Sequence, residues 1–147
     1  MTLYTIGFTK KTAEQFFEPL KSEGVELLVD VRLNNRSQLA GFTKGGDLEY
    51  FLRRICNAEY RHCDEFAPSE ELLSKYRKKE ITWEEYEEIF DGIMDKRGAC
   101  EKFPSKFAAY DKVCLLCSEP TPEHCHRRLV AERIAKAAHG TVTVKHL

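Results

Sequence analysis

Residues 25–31 read Val-Glu-Leu-Leu-Val-Asp-Val, an almost unbroken apolar run that begins directly after Gly24. A short continuous apolar run is typical of a β-strand that is buried on both faces, as in a parallel sheet covered by helices. Residues 113–117, Val-Cys-Leu-Leu-Cys, form a second run of this kind. The two segments predict the centre of a buried parallel sheet.

Helical patterns lie between the predicted strands. Capping boxes, in which a Thr is followed three residues later by Gln or Glu, occur at Thr12 and Thr82. We expect further helices that begin near Asp47, Ser69 and Thr121, and shorter strands at 3–6, 59–63 and 141–144. Strands that alternate with helices predict an α/β fold, here a single three-layer domain over residues 1–147 with a mostly parallel sheet flanked by helices.

The composition argues against several classes of protein. The chain has 147 residues, 42% of them hydrophobic, and a net charge of -1, so the whole protein does not resemble a basic nucleic-acid coat. No apolar run approaches the roughly 20 residues of a transmembrane helix, so no membrane partner is expected. The opening MTLYTIGFTKK lacks the pattern of a secretory signal, which predicts a cytoplasmic protein whose six cysteines are free thiols.

Charge is distributed unevenly along the chain. Residues 59–101 carry 7 basic and 13 acidic side chains, whereas residues 102–147 carry 8 basic and 4 acidic side chains. Because an excess of positive charge attracts anions, this distribution favours anion binding near the C-terminus.

Chemically useful residues follow three of the predicted strands. An open parallel sheet binds ligands beyond the carboxyl ends of its strands, so residues at neighbouring strand ends are expected to share one edge. The residues concerned are Gly7, Asp30 and Arg32, and Cys117, Ser118 and Glu119.

Asp30 and Arg32 allow two interpretations. Residues two apart on a strand face the same side, so the pair could be an ion pair that closes the edge of the sheet. Alternatively, Arg32 binds an anionic substrate, and Asp30 acts as a base or orients another group. The sequence leaves both interpretations open.

Residues 117–128, Cys-Ser-Glu-Pro-Thr-Pro-Glu-His-Cys-His-Arg-Arg, hold the densest group of reactive side chains. We expect a helix to start here, and the free N–H groups of a helix start bind anions and favour a thiolate. His126 is the candidate acid or base, and Cys117 or Cys125 is the candidate nucleophile. Arg127 is a candidate to bind a phosphate group. The structural alternative is an ordinary polar helix start, with the cysteines packed as small apolar residues.

The same stretch and the strand before it contain the ligand types of a zinc site. Cys114 and Cys117 are three apart within a predicted strand, so their side chains should point to opposite faces and not share one ion. A site formed by Cys117, Cys125 and a histidine stays open. The sequence predicts no metal ligand and no resident cofactor.

The stretch 33–46, rich in Asn, Ser and Gly, is a predicted loop beside the expected site. It carries Arg36 and Lys44, and it is either a lid or nucleic-acid contact or an ordinary connection.

Three motifs together resemble a known family. They are Thr-Ile-Gly at 5–7, LLVDVR at 27–32 and LLCSEPTPEHCHRRLVAERI at 115–134, and the similarity extends over essentially the whole chain. This pattern resembles the domain-of-unknown-function 488 family. The resemblance implies an α/β domain and supplies no activity; its motif positions here are Gly7, Asp30, Arg32, Cys117, Glu119, Cys125, His126 and Arg127.

Three functional hypotheses follow from the residues. The first is an enzyme that acts on a phosphate-bearing substrate, a nucleotide or nucleic acid, with the anion held by Arg32 and Arg127 and with contributions from Gly7, Ser118 and Cys125. In it, His126 is the acid or base, oriented by Asp30 or Glu119, and Cys117 is a nucleophile or a wall. The alternatives are a non-catalytic nucleic-acid-binding module and a thiol or metal sensor built on Cys117, Cys125 and His126.

Overall fold

The computed structural model describes residues 1–36, 41–119 and 121–147. Within these ranges five parallel strands form one sheet in the order β3-β2-β4-β1-β5. The strands are β1 (Thr2–Gly7), β2 (Leu27–Asp30), β3 (Glu59–His62), β4 (Lys112–Cys117) and β5 (Thr143–His146). The helices are α1 (Ala13–Glu23), α2 (Gly45–Phe51), α3 (Glu70–Arg77), α4 (Trp83–Arg97), α5 (Ala99–Lys106) and α6 (His126–Ala137).

Helices cover both faces of the sheet, which confirms the predicted three-layer α/β fold. Side chains alternate between the two faces, as the period of a strand requires. Leu27 and Val29 belong to a core shared with α3, α4, α5 and α6, whereas Leu28 packs with α1 and α2. Cys117 lies in the first of these cores and Cys114 in the second, so the prediction that they face opposite sides is confirmed.

The predicted capping boxes begin two of the helices. The Thr12 hydroxyl accepts a hydrogen bond from the Gln15 N–H, and the Gln15 side chain accepts one from the Thr12 N–H. Thr82 and Glu85 exchange the same pair of bonds at the start of α4. Each exchange satisfies two N–H groups that would otherwise have no helical partner.

The predicted start of α6 at Thr121 is wrong, because the helix begins at His126 with Cys125 as its N-cap. Residues 121–124 form turns instead. The guanidinium of Arg128 donates to the carbonyls of Pro122 and Glu123, at 3.0–3.3 Å, and holds this segment outside the helix.

Two other helical segments differ from the sequence prediction. The helix expected over 47–58 begins earlier, at Gly45, and α2 continues into a π-helical turn, Leu52–Cys56, which ends at Asn57 with φ 52°. Helix α5 was not predicted. Of the predicted loop 33–46, residues 37–40 lie outside the described residues, and Gly41–Thr43 form a 3₁₀ turn.

A search of the described residues for a helix that is both long and apolar enough to span a membrane finds none.

Candidate functional site

The strand order brings the predicted site residues to one edge of the sheet. β4 lies between β1 and β2, Gly7 is paired with Cys117, and Asp30 is paired with Leu116. The carboxyl ends of these three central strands therefore lie side by side. This edge is where an open parallel sheet builds its ligand sites.

Cys117 and His126 form a thiol–imidazole pair at this edge. The Cys117 sulfur lies 3.5 Å from His126 Nδ1, and His126 Nε2 lies 2.7 Å from the backbone oxygen of Val31. A carbonyl oxygen only accepts, so the Nε2–H must donate to it. This contact fixes the ring and leaves Nδ1 facing the thiol. The arrangement places a thiol beside an imidazole whose orientation is fixed, which is the geometry that activation of a thiol by a base requires.

Cys125 completes a compact cluster with this pair. It is the N-cap of α6 and is buried, as are Cys117 and His126. One ligand atom from each of the three residues lies within 4.8 Å of the others. The ring of Phe90 lies against His126, with the ring centroids 5.8 Å apart, and supplies an apolar wall.

The surroundings favour charge separation within the cluster. A hydrogen bond from the Cys125 thiol lowers the pKa of Cys117, and the nearby His126 lowers it further. Burial acts in the opposite direction, but the pKa of Cys117 stays well below its ordinary value. Burial and the hydrogen bond to Cys117 raise the pKa of Cys125 well above its ordinary value. Burial lowers the pKa of His126, but the negative Cys117 outweighs this effect and the net pKa is raised. The two shifts act in the same direction, since both favour movement of the Cys117 proton towards His126.

Arg127 lies beneath the end of β1 with its side chain fully buried. Its Nη1 donates to the backbone oxygen of Glu119 at 2.7 Å. Its Nε and Nη2 have no hydrogen-bond partner among the residues that the structure describes. A buried guanidinium with unpartnered N–H groups is costly, since charged groups lose their hydration on burial. These donors are therefore suited to a ligand anion.

Gly7 and Ser118 give the site its close packing. A Cβ at Gly7 would lie 1.6 Å from the Glu119 oxygen and 3.1 Å from Arg127 Nη1, so a side chain does not fit there. The Ser118 carbonyl accepts hydrogen bonds from the backbone N–H and the hydroxyl of Thr9. The segment after β4 is thus fastened across the end of β1.

Asp30 and Arg32 form an ion pair, which is one of the two interpretations that the sequence leaves open. Arg32 Nε and Nη2 donate to the two carboxylate oxygens of Asp30 at 2.8 Å and 2.7 Å. The Tyr60 hydroxyl also donates to Asp30, and the Thr43 carbonyl accepts from Arg32 Nη2. Arg32 Nη1 is buried and has no hydrogen-bond partner among the described residues. The pair closes the sheet edge and still leaves one donor for an anion.

These contacts change the roles expected for three residues. Asp30 contacts Arg32 and Tyr60, and Glu119 contributes its backbone oxygen to Arg127. His126 is oriented by the Val31 carbonyl, and not by either carboxylate. A backbone acceptor has no signature in the sequence, so this role of Val31 was missed. Tyr60 was missed as well, although it lies in the predicted strand 59–63.

Comparison with known proteins adds one match. The family model described as "Domain of unknown function DUF488" matches residues 12–134. The chain belongs to the DUF488 family. No match was found among curated proteins or among solved structures. The DUF488 match covers β2 and β4, two of the three central strands of the site, as well as Cys117, Cys125, His126 and Arg127.

Proposed function

We propose that the protein is an enzyme that acts on a phosphate-bearing substrate, a nucleotide or nucleic acid, with Cys117 as the nucleophile. The observation that carries this proposal is the Cys117–His126 pair, in which the Val31 carbonyl orients the imidazole. The next residue, Arg127, is buried and has N–H donors without a partner among the described residues. A thiolate is a strong nucleophile, and a neighbouring imidazole both forms it and returns its proton.

The proposed reaction is transfer of a terminal phosphoryl group, from a phosphomonoester, a nucleotide or the end of a nucleic-acid strand. The Cys117 thiolate attacks phosphorus, the sulfur–phosphorus bond forms, and the bond from phosphorus to the leaving oxygen breaks. The His126 imidazolium gives its Nδ1 proton to that oxygen. Water then attacks phosphorus, His126 takes the proton from the water, and inorganic phosphate leaves with the Cys117 thiolate restored. No oxidant or reductant is needed.

The arginines would bind the phosphate oxygens. Charge-assisted hydrogen bonds from guanidinium to phosphate are about twice as strong as those between neutral groups. Arg127 offers Nε and Nη2, and Arg32 offers Nη1. The excess of basic residues in the C-terminal third of the chain supports the same choice of ligand.

Ser118 and Glu119, the segment after β4, cover the site, so this segment must move before a substrate can enter. Cys117 is 4% exposed and His126 is 7% exposed. The Glu119 carbonyl accepts a hydrogen bond from Arg127 Nη1. Displacing Ser118 and Glu119 would therefore expose the Cys117 thiol and also release a third N–H donor of Arg127. Movement of a short segment is a common step in enzymes that exclude water from the reaction.

The test is turnover by the reduced protein with a panel of a phosphomonoester, nucleotides and short single-stranded DNA and RNA that carry a terminal phosphate. We expect product release from one member, and a mass gain of one phosphoryl group on Cys117 after rapid quenching. Cys117→Ser should abolish the adduct, and His126→Asn should lower turnover by about 10²–10⁴-fold, the usual contribution of a general base. Cys114→Ser, which changes a cysteine on the other face of β4, is the matched control.

Two results would overturn the proposal. The first is full turnover by Cys117→Ser. The second is tight nucleic-acid binding that weakens steeply with salt and is followed by no turnover, which would favour a binding module.

A further inference from the structure

We infer that Cys117, Cys125 and His126 form a binding site for a thiophilic divalent cation, Zn²⁺ being the natural example. We also infer that metal bound there blocks the thiol; this second part rests on the proposed function, in which Cys117 is the nucleophile. The same three side chains would serve as a reactive pair without metal and as a ligand set with it.

The ligand atoms have the spacing of a tetrahedral site. Zn–S bonds of about 2.3 Å and Zn–N bonds of about 2.0–2.1 Å give a sulfur-to-nitrogen edge of roughly 3.6 Å in a tetrahedron. The Cys117 sulfur and His126 Nδ1 are 3.5 Å apart. One ligand atom from each of the three residues lies within 4.8 Å of the others, so a shift of about 1 Å in the longest edge would complete the set.

The contacts around the ligands are those of a metal site. A histidine that binds metal through one ring nitrogen normally donates its other N–H to a carbonyl or carboxylate, and this bond fixes the ring. His126 makes this contact, with Nε2 2.7 Å from the Val31 oxygen.

Charge and burial fit the same conclusion. Two thiolates neutralise a divalent cation, so the loaded site carries no net charge and tolerates burial. All three ligands are buried, and none of them is in a disulfide. Three protein ligands leave a fourth position for a water or another small ligand, as in open zinc sites.

Cys114 supplies an internal control. Together with Cys117 it reads as the familiar Cys-x-x-Cys metal motif, yet the two side chains lie in cores on opposite faces of the sheet. The structure therefore assigns the metal to Cys125 and His126 with Cys117, and excludes Cys114. Replacement of Cys114 should leave metal binding unchanged.

Bound metal would stop the proposed reaction without changing the fold. It would occupy the sulfur electron pair that attacks phosphorus and the Nδ1 that carries the proton. Binding would release the thiol protons to solvent, and a chelator would reverse it. The loss of activity would follow metal occupancy.

The experiment uses Co²⁺ as the probe on fully reduced, chelator-treated protein in the absence of oxygen. We expect one equivalent to bind, with thiolate-to-cobalt charge-transfer absorption and the visible bands of a tetrahedral ion, both displaced by Zn²⁺. Cys117→Ser and Cys125→Ser should each weaken binding by more than about 100-fold, beyond the usual effect of losing an outer-shell contact. Cys114→Ser should bind as wild type, and circular dichroism verifies that every variant is folded.

The outcomes separate this inference from the proposed function. Absence of thiolate absorption with Co²⁺, or equal binding by Cys125→Ser, overturns the metal site even if phosphate turnover is found. Co²⁺ bands without turnover of any phosphate substrate overturn the proposed function and leave the metal site standing. Turnover that continues at full rate with one Zn²⁺ bound overturns the inhibitory role.

Discussion

Replacement of Gly7 by alanine tests how tightly the site is packed. The new Cβ would lie 1.6 Å from the Glu119 oxygen, whereas real Cβ contacts are essentially never below 3.0 Å. The carbonyl must therefore move by about 1.4 Å, the difference between those two distances. Arg127 Nη1 now lies 2.7 Å from that oxygen, so such a shift would break the hydrogen bond.

Two overlapping effects set the expected cost. A lost hydrogen bond to a charged group is worth about 1.5–3 kcal/mol, and forcing an extra methyl group into a packed site costs about 1–3 kcal/mol. Partial relaxation overlaps the two, so we expect Gly7→Ala to lower the free energy of unfolding by about 2–4 kcal/mol. Alanine itself has no conflict with the backbone, because Gly7 does not have a positive φ.

Urea unfolding followed by circular dichroism measures this change. Gly92→Ala is the matched control, because Gly92 lies within α4 and a Cβ there meets nothing within 4 Å. That substitution should raise stability by up to about 1 kcal/mol through helix propensity. If Gly7→Ala unfolds within about 0.5 kcal/mol of the wild type, as an unconstrained surface change would, the tight approach of Glu119 to β1 is refuted.

Three further predictions concern stability. Asp30→Asn breaks the buried pair with Arg32 and should lower the free energy of unfolding by about 3–5 kcal/mol, whereas Glu71→Gln, in an exposed pair, should change it by less than about 1 kcal/mol; equal effects in urea unfolding would contradict this. Burial raises the pKa of the Cys100 thiol to about 11 from 9.0, so its neutral form stabilises the fold below pH 9, and this contribution is lost as the pH rises from 9 to 11. Across that window wild-type stability should fall more steeply than that of Cys100→Ala by about 1.4 kcal/mol per pH unit, and parallel curves would refute the shift. Thr82→Ala removes the N-cap of α4 and should cost about 1 kcal/mol; an unchanged urea midpoint would show that the cap contributes nothing.

The sequence was most informative where one local rule acts alone. The apolar runs at 25–31 and 113–117 predicted buried strands because both of their faces pack against helices. Thr82 predicted a helix start because a capping box needs only residues close in sequence. At Thr121 the same kind of rule failed, because Arg128, seven residues later, binds the carbonyls of the segment and competes with the helix.

The candidate site was predictable in its members and unpredictable in their pairing. That residues at strand ends share one edge follows from a parallel sheet, so Cys117 and Asp30 could be placed there from sequence. Which group orients His126 depends on a backbone oxygen of Val31, 95 residues away, and every residue has such an oxygen. Pairing of this kind is settled by three-dimensional packing and leaves no mark in composition or spacing.

Because Cys114 and Cys117 face opposite sides of the sheet, the surroundings of each thiol depend on the register of β4. A slip of β4 by one residue would turn every side chain of that strand to the other face. Cys117 would then enter the apolar layer beside α1, and His126 would lose its sulfur partner. The thiol–imidazole pair exists in one register only, so thiol reactivity during refolding would report when β4 has docked correctly between its neighbours.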